Sequence, residues 1–375
     1  MRKLLVAIVV AAISSRAEGQ GALSLQGLGY PTGELSARAE GTGGGVADFD
    51  ALSLVSPASI SAVGSPALFF QYSPEFRRVT AGSNTAKTTT ARFPMIAGVL
   101  PMGQDWTLGL SSSTFLDRSG ETSLVTQQLV GPDLVDVTER NKVLGGIDDG
   151  RLALAWAPTS ALHIGFGAHV FSGSNRITFS RIFPDSSKYV STTQTGRMSF
   201  AGFAGSLGLE YRPSRVIGFA VSGRKGGDLR AQSGDTAIGS GRIPDHYSAS
   251  VTYDGITGAS ISARVAHDAW SSLGTLSSSG TKAFDGWDTG VGAEVTGPRI
   301  MQRIIVVRGG ARIRTLPFGF NGEKVSEKSF VGGLGIPLTR DRASFDFALQ
   351  RANRTAGSGV KETGYIFSFG LRVSP

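Results

Sequence analysis

The side chains best suited to acid–base or metal chemistry are the four histidines, His163, His169, His246 and His267. None of them lies at the spacing of a metal-binding motif such as HExxH, and the chain contains no Cys. His163 and His169 share one parity of a strand near Ser160, but no acid lies close in sequence to orient a histidine. A hydrolase is therefore the least favoured alternative. The sequence predicts a protein that is not an enzyme and that has no metal or cofactor.

Arginines and acids form a second set of candidates, because they fall on alternate positions of otherwise apolar strands. If those strands enclose a lumen, the candidate contacts there are Arg151, Arg264, Arg308, Arg312 and Glu294. Two interpretations remain open, namely a network of paired charges and a cationic site for a substrate carboxylate. The network is favoured, since a charge in a closed space needs partners. Arg308 and Arg312, two pleat steps apart on one face, are the better candidates for binding an anion.

The pattern that positions these residues is a strict alternation of outward apolar and inward polar side chains. Trp287, Val291 and Val295 fall on one face of a strand, and Asp288 and Glu294 fall on the other. Short turns alternate along the chain with longer connections. Turns are predicted at 101–105, 212–215 and 296–299, and loops at 116–146 and 181–195. This layout predicts an all-β fold, a transmembrane antiparallel β-barrel of about fourteen strands, as in outer-membrane barrels.

A soluble two-sheet sandwich also shows alternation and is the alternative fold. It is disfavoured because the polar face carries charges in several strands while the apolar face is uninterrupted. Composition agrees with the barrel, since only 18% of the 375 residues are charged, against about a quarter in soluble domains. The net charge of +8 is scattered along the chain, so no nucleic-acid partner is predicted.

The first residues have the pattern of an export signal. Arg2 and Lys3 precede an apolar run, Leu4–Ile13, and small residues follow at the positions of a cleavage site. We therefore predict a signal peptide at 1–19, an N-terminal plug at 20–66 and a barrel at 67–375. The predicted location is the bacterial outer membrane, with the signal removed on export.

The stretch Gly33–Pro66 is the long segment after the leader that does not alternate. Asp50 is a candidate N-cap for one short helix, since its carboxylate can accept hydrogen bonds from free amides of a first turn. The stretch carries Arg38, Glu40 and Asp48 besides Asp50, and is therefore acidic. We predict that this plug, or hatch, pairs with lumenal arginines, and that the glycines of 41–45 act as a hinge.

Three short motifs in the plug resemble the start of the FadL/TodX family of outer-membrane transporters. They are Ser36-Ala37-Arg38-Ala39, Val46-Ala47-Asp48 and Ser56-Pro57-Ala58. The family reads Gly-x-x-x-Ala, Ala-x-Asp-Asp and Asn-Pro-Ala-Gly in the same order. This chain departs from it in two ways, because Phe49 separates Asp48 from Asp50 and because Ser56 replaces the Asn. The resemblance makes Arg38, Asp48, Asp50, Ser56, Pro57 and Ala58 the plug motif residues.

The resemblance implies passive uptake of long-chain fatty acids or other hydrophobic compounds. In that family the ligand is captured outside, occupies a lumenal site and leaves sideways through the wall. The implied partners are a hydrophobic small molecule, outer-membrane lipid and, during biogenesis, the barrel assembly machinery. Some relatives are non-transporting scaffolds for secretion or surface assembly, and the altered Asn-Pro-Ala motif leaves that alternative open.

Overall fold

The computed structural model describes residues 29–81, 84–276, 282–300, 303–320, 322–339, 342–357 and 360–374, so the predicted signal peptide lies outside the described residues. Its helices are α1, Ala37–Gly41, and two 3-10 helices, Ala58–Ala62 and Trp270–Leu276. The strands are β1 Tyr30–Pro31, β2 Ala67–Ala81, β3 Asn84–Met102, β4 Trp106–Asp117, β5 Gly120–Val130, β6 Asp133–Thr159, β7 Leu162–Ile182, β8 Thr192–Tyr211, β9 Ile217–Ser233, β10 Thr236–Arg242, β11 His246–Ile256, β12 Ala259–Asp268, β13 Gly286–Ile300, β14 Arg303–Phe320, β15 Glu323–Thr339, β16 Ala343–Ala356 and β17 Val360–Val373. None of the described helices is long and apolar enough to cross a membrane.

The strands close into a ring. Of the seventeen strands in the described sheet, β1, β5 and β10 are appendages, and the other fourteen form an antiparallel barrel. β17 closes the ring on β2, with pairs from Val373–Leu68 at one end to Val360–Ala81 at the other. The predicted fold class is therefore confirmed.

The two faces of the wall differ as the alternation predicts. Leu152 and Trp287 are exposed on the outside, whereas Arg151 and Arg264 are buried inside. An outward apolar face is suited to contact with lipid, because removing apolar surface from water is favourable, and an inward polar face finds partners in the lumen.

The two ends of the barrel differ in their connections, and we name them the turn end and the loop end. Short turns join β3 to β4 and β8 to β9 at the turn end. The predicted turn at 296–299 was wrong, because it falls inside β13 at an irregularity in its pairing with β14. The predicted loop at 116–146 was also wrong. It forms a hairpin of β5 with the start of β6, since its Thr- and Val-rich halves satisfy each other's backbone groups.

Residues 29–66 lie inside the barrel as the plug. Its α-helix is α1, and the predicted cap was wrong, because Ser36, not Asp50, is the N-cap and accepts from the amide of Ala39. Asp50 instead accepts from the hydroxyls of Ser36 and Ser53 within the plug. The carboxylate therefore braces two plug turns against each other and caps no helix.

Wall glycines allow the plug backbone to approach closely. A side chain at Gly165 would lie 2.2 Å from the amide nitrogen of Ala58, and one at Gly290 would lie 2.0 Å from the carbonyl oxygen of Gly43. The Ser56-Pro57-Ala58 motif also packs against Gly208. The glycines of 41–45 are themselves buried against the wall, so in this structure they serve docking and turns.

Candidate functional site

The plug separates two cavities. The loop-side cavity, about 80 Å³, is bordered by Tyr30–Leu35 and Glu40 of the plug and by Arg92 and Arg314 of the wall. The turn-side cavity, about 620 Å³, is bordered by Arg38 and Phe49–Leu52 of the plug. Plug residues therefore border both spaces.

Asp48 is the best-held acid of the plug. It accepts from the hydroxyls of Ser222, Ser248 and Ser250 on β9 and β11, and from Arg264 of β12 at 3.1 Å. Burial opposes its charge, but Arg264 and the three hydroxyls outweigh burial and lower the pKa of Asp48. The carboxylate is therefore a charged anchor between the plug and the wall.

In a second contact between plug and wall, the plug supplies the cation and the wall supplies the acid. Arg38 of the plug donates to Glu294 of β13 at 2.9 Å, and Arg308 of β14 donates to the same carboxylate at 2.7 Å. Arg308 also bonds Asp346 at 2.6 Å and packs its stem beside Gly41. Glu294 thus joins a plug cation to a wall cation.

The other two predicted arginines behave differently from each other. Arg151 donates to the plug carbonyl of Leu54 at 2.9 Å. Arg312 forms a bidentate pair with Asp288 and so pairs wall with wall. Each of the five predicted lumenal residues therefore has a protein partner, and Asp50 pairs within the plug.

Tyr30 occupies the centre of a charged cage. The guanidinium carbons of Arg354, Arg314, Arg92 and Arg77 lie 4.4, 4.9, 5.3 and 5.5 Å from its ring centroid. Its hydroxyl donates to Glu327 at 2.9 Å and accepts from Arg354 at 2.8 Å and from Arg314. Burial raises the pKa of Tyr30 to about 12 against the lowering effect of Arg314 and Arg354.

The hydrogen-bonded wall is interrupted beside Tyr30. The β3–β4 ladder ends at Met95–Ser113, and beyond it the described part of β3 pairs with β2 alone. β4 pairs there with β1 instead, through Tyr30–Asp117 and Pro31–Leu116. A side chain at Gly33 (φ +82°) would meet the carbonyl oxygen of Thr114 at 2.5 Å. The carbonyl oxygen of Pro94 would lie 2.8 Å away, so the plug closely fills this gap.

The structure supplies the acid that the sequence did not place near a histidine. Asp149 of β6 bonds Nδ1 of His169 at 2.8 Å, and Nε2 of that histidine lies 2.8 Å from the hydroxyl of Ser206 on β8. The connectivity is that of a Ser–His–Asp relay. However, the Ser206 hydroxyl packs over Gly167, and none of the three side chains lines either cavity. These hydrogen bonds therefore link the three wall strands β6, β7 and β8. His163 contacts the plug at Ser61, 2.5 Å away.

Sequence reasoning missed several site residues. Tyr30 lies in a tail without periodicity, and Glu34, which pairs with Arg224 at 3.1 Å, has a partner 190 residues away. The serines that hydrogen-bond Asp48 could have been predicted to face the lumen, because Ser222, Ser248 and Ser250 lie at inward-facing positions of their strands. Small polar residues recurring on that parity are a usable sign of a lumenal contact.

Several solved structures share this fold over nearly the whole chain. A FadL homologue of Pseudomonas aeruginosa aligns with a TM-score of 0.64 and 11% identity, covering 92% of this chain and 99% of that chain. The toluene transporter TodX of Pseudomonas putida aligns at 0.58 and 14%, covering 92% and 98%. The monoaromatic hydrocarbon channel CymD aligns at 0.57 and 13%, covering 93% and 98%. No protein-family model and no curated protein sequence matches the chain.

The fold thus defines a plugged transmembrane β-barrel, the class found in outer membranes. Within that class the chain has the architecture of the FadL and TodX channels, as the plug motifs predicted. At these identities the likeness is one of fold.

Proposed function

We propose that the protein is an outer-membrane channel for passive uptake of hydrophobic compounds. The class includes long-chain fatty acids and monoaromatic hydrocarbons; TodX and CymD are monoaromatic hydrocarbon channels. An apolar compound gains about 0.8 kcal/mol per CH₂ on leaving water for an apolar surface, so a passive route needs no energy source.

The observation that carries this proposal is the position of the loop-side cavity. It is bordered by Pro31, Thr32 and Gly33 of the plug and by Pro94 of β3, the residues beside the interrupted β3–β4 ladder. Beyond Met95 the described wall has no β3–β4 hydrogen bonds, and β1 of the plug occupies the gap. A compound in this cavity would leave sideways, between β3 and β4 into the bilayer, when β1 moves.

The mouth of the barrel has the apolar character that such a route needs. Trp270 and Leu273 of the second 3-10 helix pack with Phe115, Phe171 and Leu229 in a buried cluster at the loop end. Phe115 stacks on Trp270 with ring centroids 5.3 Å apart. Opening this cluster would present an apolar capture surface to the outside.

The test is uptake into liposomes that contain the purified protein, measured with toluene and with oleate. We expect both compounds, or one of them, to equilibrate faster than in protein-free liposomes. A hydrophilic control such as glucose should show no acceleration, because the plug lies across the axis. Equal rates with and without protein for every hydrophobic compound would refute the channel function.

A scaffold for secretion or surface assembly is the second candidate, and the β5–β6 hairpin favours it. This hairpin extends from the ring and exposes Val125, Leu129 and Leu134, each more than half accessible. Stable co-purification of a secretion partner with the intact barrel, lost on shortening this hairpin, would support the scaffold instead.

A further inference from the structure

The cage around Tyr30 is built by the barrel, and only its occupant comes from the plug. Arg77 and Arg92 bond Glu75, Arg92 also bonds Asp117, and Arg314 bonds Glu327. Arg354 joins Glu75, Glu327 and Glu362. All these groups belong to β2, β3, β4 and β14–β17. The aromatic ring inside is supplied by a two-residue strand attached to β4.

We propose that this cage is a binding site for a neutral phenol, a single aromatic ring with one hydroxyl, and that Tyr30 occupies it as an internal substitute for that ligand. The inference rests on the proposed uptake function and narrows its substrate class.

The ring is selected by the guanidinium groups. Four of them lie within 5.5 Å of the ring centroid, where a cation is attracted by the π face. A saturated hydrocarbon chain offers no such face. An aromatic ring therefore fits this space better than an acyl chain.

The hydroxyl is selected because the cage both accepts a hydrogen bond from it and donates hydrogen bonds to it. Glu327 accepts a hydrogen bond from the Tyr30 hydroxyl, while Arg354 and Arg314 donate hydrogen bonds to the same oxygen. A phenol satisfies all three partners. Toluene would remove the hydrogen bonds that these groups make to the hydroxyl, although Arg314 and Arg354 would keep their salt bridges with Glu327. A site built to bond a hydroxyl discriminates against an analogue without one.

A carboxylate does not fit, although four arginines surround the ring. It has no proton to donate to Glu327, and its charge would face that acid and Glu75. The four arginines are matched by the four acids Glu75, Asp117, Glu327 and Glu362. The raised pKa of Tyr30 agrees with a cage that holds its occupant in the protonated, neutral form.

The cage is next to the route of the proposed channel. Tyr30, Arg92 and Arg314 border the loop-side cavity, so a compound there lies beside the ring. Exchange of the ring for a ligand requires β1 to leave β4, and the two pairs Tyr30–Asp117 and Pro31–Leu116 define that short contact. Ligand and Tyr30 compete for one place.

The first experiment is calorimetric binding of p-cresol, toluene and p-toluate to the detergent-solubilised full chain. The variants are Tyr30→Ala, which vacates the cage, and Tyr30→Phe, which keeps the ring as a matched control. We expect p-cresol to bind Tyr30→Ala at least tenfold more tightly than wild type or Tyr30→Phe. Toluene and p-toluate should bind Tyr30→Ala at least tenfold more weakly than p-cresol does.

Equal binding of toluene and p-cresol to Tyr30→Ala would overturn the hydroxyl selectivity, and tighter binding of p-toluate would overturn the neutral class. A folded Tyr30→Ala that binds none of the three would overturn the site. Folding is checked by the heat-modifiable mobility of the barrel on a gel.

A second measurement keeps Tyr30 in place. The variant Pro31→Cys carries the only thiol in the chain and is treated with a maleimide reagent. We expect p-cresol to accelerate labelling several-fold, since it displaces the Tyr30 ring and frees β1, whereas p-toluate should not. An unchanged rate at saturating p-cresol would refute competition between the ligand and Tyr30.

The site and the channel function fail in different ways. If p-cresol does not bind while the liposomes still take up toluene, the phenol site is wrong and the channel stands. If p-cresol binds as expected but no hydrophobic compound crosses the liposome wall, the site stands and the proposed uptake is wrong.

Discussion

At the scale of single residues, the plug is held by pairs that cross between it and the wall. Asp48 reaches Arg264, Arg38 reaches Glu294 and Glu34 reaches Arg224. The plug supplies the acid in two of these pairs and the base in one, so its docking uses both signs of charge although the plug as a whole is acidic. Removing one member of such a buried pair leaves its partner without compensation.

Replacement of Asp48 tests this anchor. Asp48→Ala deprives Arg264 and three serine hydroxyls of their acceptor, although Asp288 remains 3.5 Å from Arg264. We expect a loss of about 1–3 kcal/mol in the docking of the plug, seen as larger and noisier conductance in planar bilayers. The matched control is Asp185→Ala in an exposed loop, which should leave the traces unchanged. Quiet, closed traces in Asp48→Ala would show that this acid does not hold the plug.

Glu40 gives plug docking a dependence on pH. Burial raises the pKa of Glu40 from 4.5 to about 7, although Ser368 and Arg312 lower it. A carboxyl with a raised pKa in the docked state favours docking below pH 4.5, and this contribution is lost as the pH rises through 7. We expect conductance to increase between pH 5 and pH 8 in the wild type. In Glu40→Gln this rise should be smaller, and an identical rise would assign the effect to other groups.

At the scale of elements, β1 takes the place of a barrel strand. The loop-end part of β4 pairs with β1 in place of β3, because the β3–β4 ladder stops at Met95–Ser113. A two-residue strand contributes few hydrogen bonds, because β1 pairs with β4 at only two positions. If hydrophobic compounds leave sideways, β1 must move.

A disulfide between β1 and β4 tests that movement. Pro31 and Leu116 are direct antiparallel partners, whose Cα separation of about 4.5–5.5 Å suits a disulfide. We expect the pair Pro31→Cys with Leu116→Cys to block uptake of toluene into liposomes when oxidised and to restore it when reduced.

The control for this crosslink joins two wall strands away from β1. Leu110 and Leu152 are partners in the β4–β6 ladder and face outward. The pair Leu110→Cys with Leu152→Cys should transport equally well in both redox states. Full transport by the oxidised Pro31–Leu116 pair would exclude an exit that needs β1 to move.

At the scale of the whole molecule, the barrel has one end with tight turns and one end with long hairpins. β5, β10 and the Trp270–Leu276 helix all lie at the loop end. Outer-membrane barrels place short turns in the periplasm and longer connections outside. The structure therefore defines an orientation that can be measured in cells.

Single thiols report this orientation, because the chain has no natural Cys. Gln128→Cys lies on β5 at the loop end, and Ser214→Cys lies in the turn between β8 and β9. A membrane-impermeant maleimide applied to intact cells should label Gln128→Cys and spare Ser214→Cys. After lysis both should react, and the reverse pattern on intact cells would invert the barrel.

Much of the fold could be read from the sequence because its cause is local. A strand in a lipid-facing wall must alternate apolar and polar side chains, so Trp287, Val291 and Val295 reveal both the strand and its outer face. The inward direction of Arg151, Arg264, Arg308, Arg312 and Glu294 follows from the same parity. Turn residues were a poorer guide, since Thr296–Arg299 has turn residues yet lies within β13, where the register with β14 shifts.

The partners of those inward residues were decided only by the tertiary structure. Closing the ring brings β17 beside β2 and carries Arg354 and Glu75 to Tyr30, and no local pattern relates groups so far apart in the chain. The same closure leaves the described parts of β3 and β4 unpaired with each other beyond Met95 and lets β1 of the plug pair with β4 there. Parity along a strand fixes which way a side chain faces, whereas the register of fourteen closed strands fixes what it meets.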